Sequence, residues 1–154
     1  MANQKILIPY NFTDMDQKAL EFAANTFKYI KTSRITLFHV YIPLPDIETS
    51  AKTVMSRLSS SMHFLTNELK EKEKAIQSSR QYLLDKGFSE DQVDYVFRPR
   101  TRSLPDEIID AATEGNYQVI ILNLRPHRII RAFVQSVHNK VISLLRNRAV
   151  CIVT

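Results

Sequence analysis

The stretch Lys5-Ile-Leu-Ile-Pro-Tyr-Asn-Phe-Thr13 decides the fold of this chain. Its Ile-Leu-Ile run is typical of a short strand, which Pro9 ends before a turn. Thr13 is a candidate helix N-cap, because Asp14 and Asp16 follow it in a first helical turn, where the helix dipole stabilises acidic side chains. A buried strand that leads directly into a helix is the opening of an α/β unit.

The same alternation of strand and helix patterns continues along the chain. β-branched and aromatic residues predict further strands at 34–40, 93–97, 119–122 and 149–153. Apolar residues at helical spacing predict helices after residue 13 and over about 50–86, 103–115 and 134–146. We therefore expect one α/β domain, residues 1–154, in which right-handed crossovers build a parallel sheet with helices on both faces.

The long predicted helix carries one apolar stripe on an otherwise charged surface. Its members, at spacings of three, four and seven, are Met55, Leu58, Met62, Leu65, Leu69, Ile76 and Leu83. The simpler interpretation is that the whole stripe packs on the core. A second contact surface for a partner is the alternative.

Glycine is scarce in this chain of 154 residues, which contains only Gly87 and Gly115. Average usage would give roughly ten. Loops that cradle phosphate groups need several glycines in one place, so neither the dinucleotide fingerprint nor the Walker loop can be present. We interpret both glycines as helix stops.

The single cysteine, Cys151, excludes an internal disulfide framework and a cysteine-built zinc site. The first apolar run is too short for a signal peptide, and no apolar stretch approaches the roughly 20 residues that span a bilayer. We therefore expect a cytoplasmic protein without a membrane segment.

The formal net charge of +5 comes entirely from the last third of the chain. Residues 1–97 carry equal numbers of basic and acidic side chains, whereas residues 98–154 carry eight Arg and one Lys against four acids. This asymmetry indicates an anionic partner or a charged subunit interface. Nucleic acid is the least favoured partner, because Phe133 is the only aromatic residue between Arg125 and Thr154.

In open parallel sheets, ligands bind beyond the carboxyl ends of the strands, where the strand order reverses. The turns to inspect are therefore 9–13 and 123–136. A phosphoacceptor receiver domain is excluded, because Asn11 and Arg98 stand where it needs acids, and no serine is flanked by glycines as in a nucleophile elbow. His39, at the end of a strand, is a candidate to line a pocket. The other histidines are assigned ordinary core or surface roles, and they form no metal-ligand pair: His63, His127 and His138.

The order of these segments resembles the universal stress protein family. The opening run 5–13, the strand end His39-Val40, the helix segment Gln135-Ser-Val-His-Asn-Lys-Val-Ile142 and the closing Val150-Cys-Ile-Val153 carry the resemblance along the whole chain. It implies an adenine nucleotide alpha hydrolase-like fold, with an open five-stranded parallel sheet in the order 3-2-1-4-5. It also implies a homodimer formed through the last strand, Ala149–Val153.

One branch of that family binds ATP or AMP through Gly-x2-Gly-x9-Gly-Ser/Thr after the fourth strand and an Asp after the first. By resemblance, Asn11 stands at the Asp position, and only Ser136 of the second motif is kept. The three glycine positions hold Asn123, Pro126 and Gln135, with one spacing a residue short. Pro126 lacks an N–H to donate, and Gln135 places a side chain where backbone must approach phosphate. We therefore expect a degenerate nucleotide motif.

Arginines complicate this interpretation, because a guanidinium binds phosphate bidentately and could replace the lost backbone donors. Arg125, Arg128 and Arg131 occupy the former phosphate loop, and further arginines follow the third strand at 98, 100 and 102. The simpler interpretation is a solvated basic loop, or pairing with acids across a dimer interface.

Our leading hypothesis is a non-catalytic stress-response or regulatory binding module that is dimeric and requires no cofactor. The alternative is a protein that keeps ATP, AMP or another phosphorylated ligand through Asn11, Ser136 and the loop arginines, with weak ATP hydrolysis left open. No catalytic or metal-ligating residue is predicted. The candidate binding residues are Pro9, Asn11, His39, Asn123, Arg125, Arg128, Gln135 and Ser136.

Overall fold

Strands and helices alternate along the chain in the computed structural model. The structure describes residues 3–44, 52–124 and 132–154. In the second range, side chains are described from residue 59 onward, and in the third from residue 137 onward. The strands are β1 (Gln4–Pro9), β2 (Ser33–Tyr41), β3 (Val93–Pro99), β4 (Val119–Asn123) and β5 (Ala149–Val153). The α-helices are α1 (Asp14–Phe27), α2 (Lys52–Asp85), α3 (Leu104–Glu114) and α4 (Ala132–Leu144), and a 3-10 turn at Glu90–Gln92 precedes β3.

The strands form one parallel sheet in the order β3-β2-β1-β4-β5, which confirms the predicted fold and strand order. The chain moves outward from β1 to β3 on one side, and then returns to add β4 and β5 on the other. The pairing between β1 and β4 joins Ile6 with Val119 and Leu7 with Ile120, short of both carboxyl ends. The topological switch point therefore lies at the ends of β1 and β4.

Hydrophobic side chains cover both faces of the sheet. On one face, α1 and α2 pack through Leu20, Ile76 and Leu83 against residues such as Ile6. On the other face, α3 and α4 pack around residues that include Leu7, and their buried side chains include Ile108 and Val141. Alternation along β1 sends its successive apolar side chains to opposite faces, as the pleat of a strand requires.

Helix α2 behaves differently in its two halves. Among the residues of the stripe, Ile76 and Leu83 are fully buried, whereas Leu65 is exposed and Met62 and Leu69 are only half-buried. The expectation that the whole stripe packs on the core is therefore wrong for this part. A helix of 34 residues is about 51 Å long, whereas the nine residues of β2 span about 30 Å, so the helix is longer than the sheet it covers. Within the described ranges, none of the helices has the length and apolar content to cross a bilayer.

The helix ends follow local rules. Ser103 accepts a hydrogen bond from the Asp106 N–H and caps α3. Gly87 has a positive φ of 109° just after α2, as predicted for a helix stop. Gly115 follows α3 in a right-handed conformation, and the positive φ at this end belongs to Asn116 instead.

Candidate functional site

The candidate site lies at the switch point, where the turn after β1 faces the end of β4. The turn contains Asn11, with an exposed side chain, and Phe12, whose backbone has a positive φ of 58°. A bulky residue rarely adopts this conformation, so it marks a turn that surrounding contacts hold in place. Asn123 is the last residue of β4.

Asp16, in the first turn of α1, connects the two sides of this crevice. Its side chain is 1% exposed. The carboxylate accepts hydrogen bonds from the Thr13 N–H at 2.7 Å, from the Asn11 N–H at 3.2 and 3.3 Å, and from the Asn123 Nδ2 at 2.6 Å. Burial raises the pKa of Asp16, and these hydrogen bonds from Thr13, Asn11 and Asn123 oppose the rise.

Sequence reasoning missed this role of Asp16, which it assigned only to the helix dipole. The available signal was its position three residues after the Thr13 N-cap, from which an acidic side chain reaches back to the N-cap N–H. The contact with Asn123, 107 residues away in sequence, carries no local signal.

Asn123 is also held from the side of α4. Its carbonyl oxygen lies 3.1 Å from Nε2 of His138. The sequence predicted an ordinary surface or core role for His138, and in the structure this half-buried histidine donates to a backbone carbonyl beside the site. The side-chain amide and the backbone carbonyl of Asn123 therefore both contact other parts of the chain.

His39 lies near the end of β2, in contact with the turn that follows β1. Its Nδ1 is 2.8 Å from the carbonyl oxygen of Tyr10, so this nitrogen carries the proton that the carbonyl accepts. Its ring lies 4.6 Å from the ring of Phe12 and is stacked on Phe97 at 5.6 Å. Burial lowers the pKa of His39, which favours the neutral imidazole at neutral pH.

A cavity of about 340 Å³ opens beside His39, between the end of β2 and the middle of α2. Its walls are mainly apolar, with Tyr41, Ile42 and Leu65 among them, and it also contains Glu68 and Lys72, which form an ion pair at 2.9 Å. This size falls within the usual range for small-molecule sites.

The structure gathers four of the predicted site residues at one edge of the sheet: Pro9, Asn11, His39 and Asn123. Gln135 and Ser136 belong to α4, where the structure describes their backbone but not their side chains. Arg125 and Arg128 also fall outside the described residues.

Two of the arginines predicted to follow the third strand, Arg98 on β3 and Arg102 after it, pair within the chain. Arg98 Nη2 lies 2.8 Å from Oε2 of the buried Glu107, and Arg102 pairs with Asp110. Both acids belong to α3. These arginines are therefore neither simply solvated nor dependent on a second subunit for their partners. Glu107 also accepts hydrogen bonds from the N–H groups of Thr101 and Arg102.

Metal ligation finds no support in the part of the chain that the structure describes, where no three His, Cys, Asp or Glu side chains converge. Cys151, on β5, is a half-buried free thiol. The site thus offers amides, a buried carboxylate and a neutral imidazole. The exposed side-chain amide of Asn11 can form hydrogen bonds with a ligand, whereas the Asp16 carboxylate and the Asn123 amide are bonded to each other.

Comparison with known proteins gives a consistent result. The model of the universal stress protein family matches residues 2–147. Among curated protein sequences, none matches the chain. The fold is similar to that of universal stress protein UspA from Lactobacillus plantarum, with 18% identity, a TM-score of 0.68 and coverage of 100% of this chain and 99% of that one.

Two similar structures were solved with ligands. The universal stress protein from Archaeoglobus fulgidus in complex with dAMP is 17% identical with a TM-score of 0.64, and covers 100% of both chains. A universal stress protein in complex with cAMP is 13% identical with a TM-score of 0.63, and covers 100% of this chain and 98% of that one. At such identities the likeness establishes the fold.

Proposed function

The chain belongs to the universal stress protein family, and on this premise we propose that it is a non-catalytic stress-response or regulatory binding module with a degenerate nucleotide motif. One observation carries the proposal. Asn123, at the first glycine position of the motif, holds the Asp16 carboxylate with its side chain and accepts from His138 with its carbonyl. A glycine there would leave this space to a ligand.

The rest of the motif supports the same conclusion. Relatives of this chain have been solved with dAMP and cAMP. In this chain, Pro126 and Gln135 replace two further glycines, so backbone N–H groups that would approach phosphate are lost or obstructed. Asn11 forms weaker hydrogen bonds to a ribose or a base than a carboxylate at that position.

The absence of catalysis is part of the proposal. A general base needs a free lone pair within reach of the proton that it removes. Asp16 instead accepts three donors from its own chain. The Nδ1–H of His39 donates to Tyr10, so only Nε2 of this ring keeps a free lone pair, and no hydrogen bond of the described residues joins Nε2 to a hydroxyl or a thiol. Both ionisable groups therefore serve to fix the turn.

Titration calorimetry with ATP, AMP and cAMP tests this function. We expect no binding in the micromolar range. Three of the four residues that define the Gly-x2-Gly-x9-Gly-Ser/Thr motif are replaced in this chain. The Archaeoglobus fulgidus protein titrated with dAMP serves as the positive control. Micromolar or tighter binding of any of the three nucleotides to this chain would overturn the proposal.

The exposed side chain of Asn11 at the switch point favours a second candidate function, in which Asn11, Ser136 and the loop arginines retain ATP, AMP or another phosphorylated ligand. In that case Arg125→Ala and Arg128→Ala should both weaken binding, and the loss should diminish at high salt, because ion pairs are screened. Arg146→Ala, outside the loop, is the matched control. Unchanged binding in both loop variants would exclude this candidate.

We also propose that the protein is a cytoplasmic homodimer that pairs through β5. This strand forms one edge of the sheet, and Ile152 on it is exposed. An exposed apolar edge strand offers unpaired backbone groups to a second chain.

A further inference from the structure

We propose that Asp16 is an internal anion that occupies the hydrogen-bond donors of the switch-point crevice and so excludes phosphate groups from it. The inference rests on the proposed function, and it identifies a residue that determines what the crevice rejects. Asp16 was not among the predicted site residues, and its contacts in the structure point to this role.

The donors on Asp16 come from both sides of the crevice. The turn after β1 contributes the N–H groups of Asn11 and Thr13, and β4 contributes the Asn123 amide. Carboxylates and phosphates accept the same kind of charge-assisted hydrogen bond. While Asp16 accepts from these groups, a ligand phosphate cannot.

A helix cap alone would require fewer hydrogen bonds than Asp16 accepts. The backbone contact between Thr13 and the side chain three residues later completes an ordinary capping arrangement. The bonds from Asn11 and from Asn123 are additional, and the second crosses from α1 to the far strand of the crevice. Asp16 therefore bridges the place where a ligand would lie between the two turns.

Among the described residues, no cationic side chain pairs with the carboxylate of Asp16. All its hydrogen-bond partners in that part of the chain are neutral amides. Burial lowers the pKa of the nearby His39, and Lys72 pairs with Glu68. A phosphate brought into the crevice would thus meet a like charge in a region that solvent screens poorly.

Two substitutions of Asp16 test the inference. Asp16→Asn keeps the volume and one acceptor for the Thr13 N–H, and Asp16→Ser shortens the side chain; both remove the charge. Calorimetry with inorganic phosphate and AMP should show binding at least about tenfold tighter than in the unmodified protein, because a buried repulsive charge has been removed. Circular dichroism and thermal unfolding verify that each variant is folded.

Two control variants separate the charge from other effects. Asp14→Asn removes an exposed acid from the same helical turn and should produce no gain. Asn123→Ala opens the bridge but leaves the charge in place, so it should also produce no gain. If Asn123→Ala gains as much as Asp16→Asn, steric closure rather than charge excludes phosphate, and the inference is wrong.

The outcome for the unmodified protein distinguishes the two proposals. Micromolar AMP binding before any substitution would overturn the proposed function. Weak binding in the unmodified protein, with no gain in either folded Asp16 variant, would overturn this inference and leave the proposed function standing.

Discussion

At the scale of single residues, Glu107 shows how a buried charge is stabilised in this fold. Burial on its own raises the pKa of a carboxyl group, but hydrogen bonds from the Thr101 N–H, the Arg98 guanidinium and the Arg102 N–H lower the pKa of Glu107 to about 2. The folded protein therefore binds this proton more weakly than the unfolded chain does. Such a group stabilises the fold above its unfolded pKa, and that stabilisation is lost as the pH falls toward 2.

Glu107→Gln should lower the free energy of unfolding at pH 7 by on the order of 2 kcal/mol, since its partner Arg98 is partly screened by solvent. The difference between the unmodified protein and the variant should shrink as the pH falls from about 4.5 to about 2, where the carboxyl becomes protonated in both states. Urea unfolding across this pH range measures both effects.

Glu114→Gln is the matched control, because Glu114 lies exposed at the end of the same helix. It should change the unfolding free energy by less than about 0.5 kcal/mol at any pH. A Glu107→Gln effect that stays constant from pH 7 to pH 2 would contradict this account.

The two ends of the switch-point crevice were predictable to different degrees. Asn11 and Asn123 follow predicted strands, so the rule for parallel sheets places them at the same edge. The pairing of Asp16 with Asn123 was not predictable, because it depends on how α1 sits against β4. The contact of His138 with Asn123 was not predictable for the same reason, since it depends on the placement of α4.

At the scale of elements, Gly87 is the residue that ends α2. Its φ of 109° lies in a region that residues with a side chain rarely adopt, and the amide of the next residue, Phe88, donates back to the carbonyl of Leu83. A Cβ added at Gly87 would meet no atom within 4 Å. The requirement for glycine is therefore one of backbone conformation and not of space.

Gly87→Ala should reduce the free energy of unfolding by about 1 kcal/mol, because alanine is strained at a positive φ. Gly87→Asn should cost less, since asparagine tolerates positive φ better than alanine. Chemical denaturation of the two variants measures the difference. Equal losses in both would show that the conformation of the backbone is not the cause.

Gly115 also follows a helix, but the reason for glycine there differs from that at Gly87. It has an ordinary φ of −76°, but an added Cβ would collide with the ring of Tyr117. From sequence, both glycines were interpreted as helix stops of the same kind. Position in sequence identified where each helix ends, but only the structure shows that a positive φ requires glycine at 87 and that the ring of Tyr117 requires it at 115.

At the scale of the whole molecule, the sheet ends in β5, which pairs with β4 over its full length. The strand order was predictable through the family resemblance, because the alternation of elements alone admits several orders. The dimer is a prediction that the single chain leaves untested. It depends on what the outer edge of β5 contacts in solution.

Light scattering should give a mass of about twice 17.9 kDa for the unmodified protein. Ile152→Lys, which places a charge on the edge strand at a side chain that is 42% exposed, should give the monomer, because charged edges resist pairing. Ile142→Lys is the control, since Ile142 is 46% exposed but lies on α4. A monomeric unmodified protein, or a dimer that survives Ile152→Lys, would refute pairing through β5.

The length of α2 gives the molecule two levels of stability within one helix. Its second half, with Ile76 and Leu83, is fixed in the core, while the described residues before it contribute far less buried surface. Local opening of a segment costs less free energy where fewer apolar contacts must break. The part of α2 that carries Leu65, before the buried Ile76, is therefore expected to open at a lower free-energy cost than the part packed on the sheet.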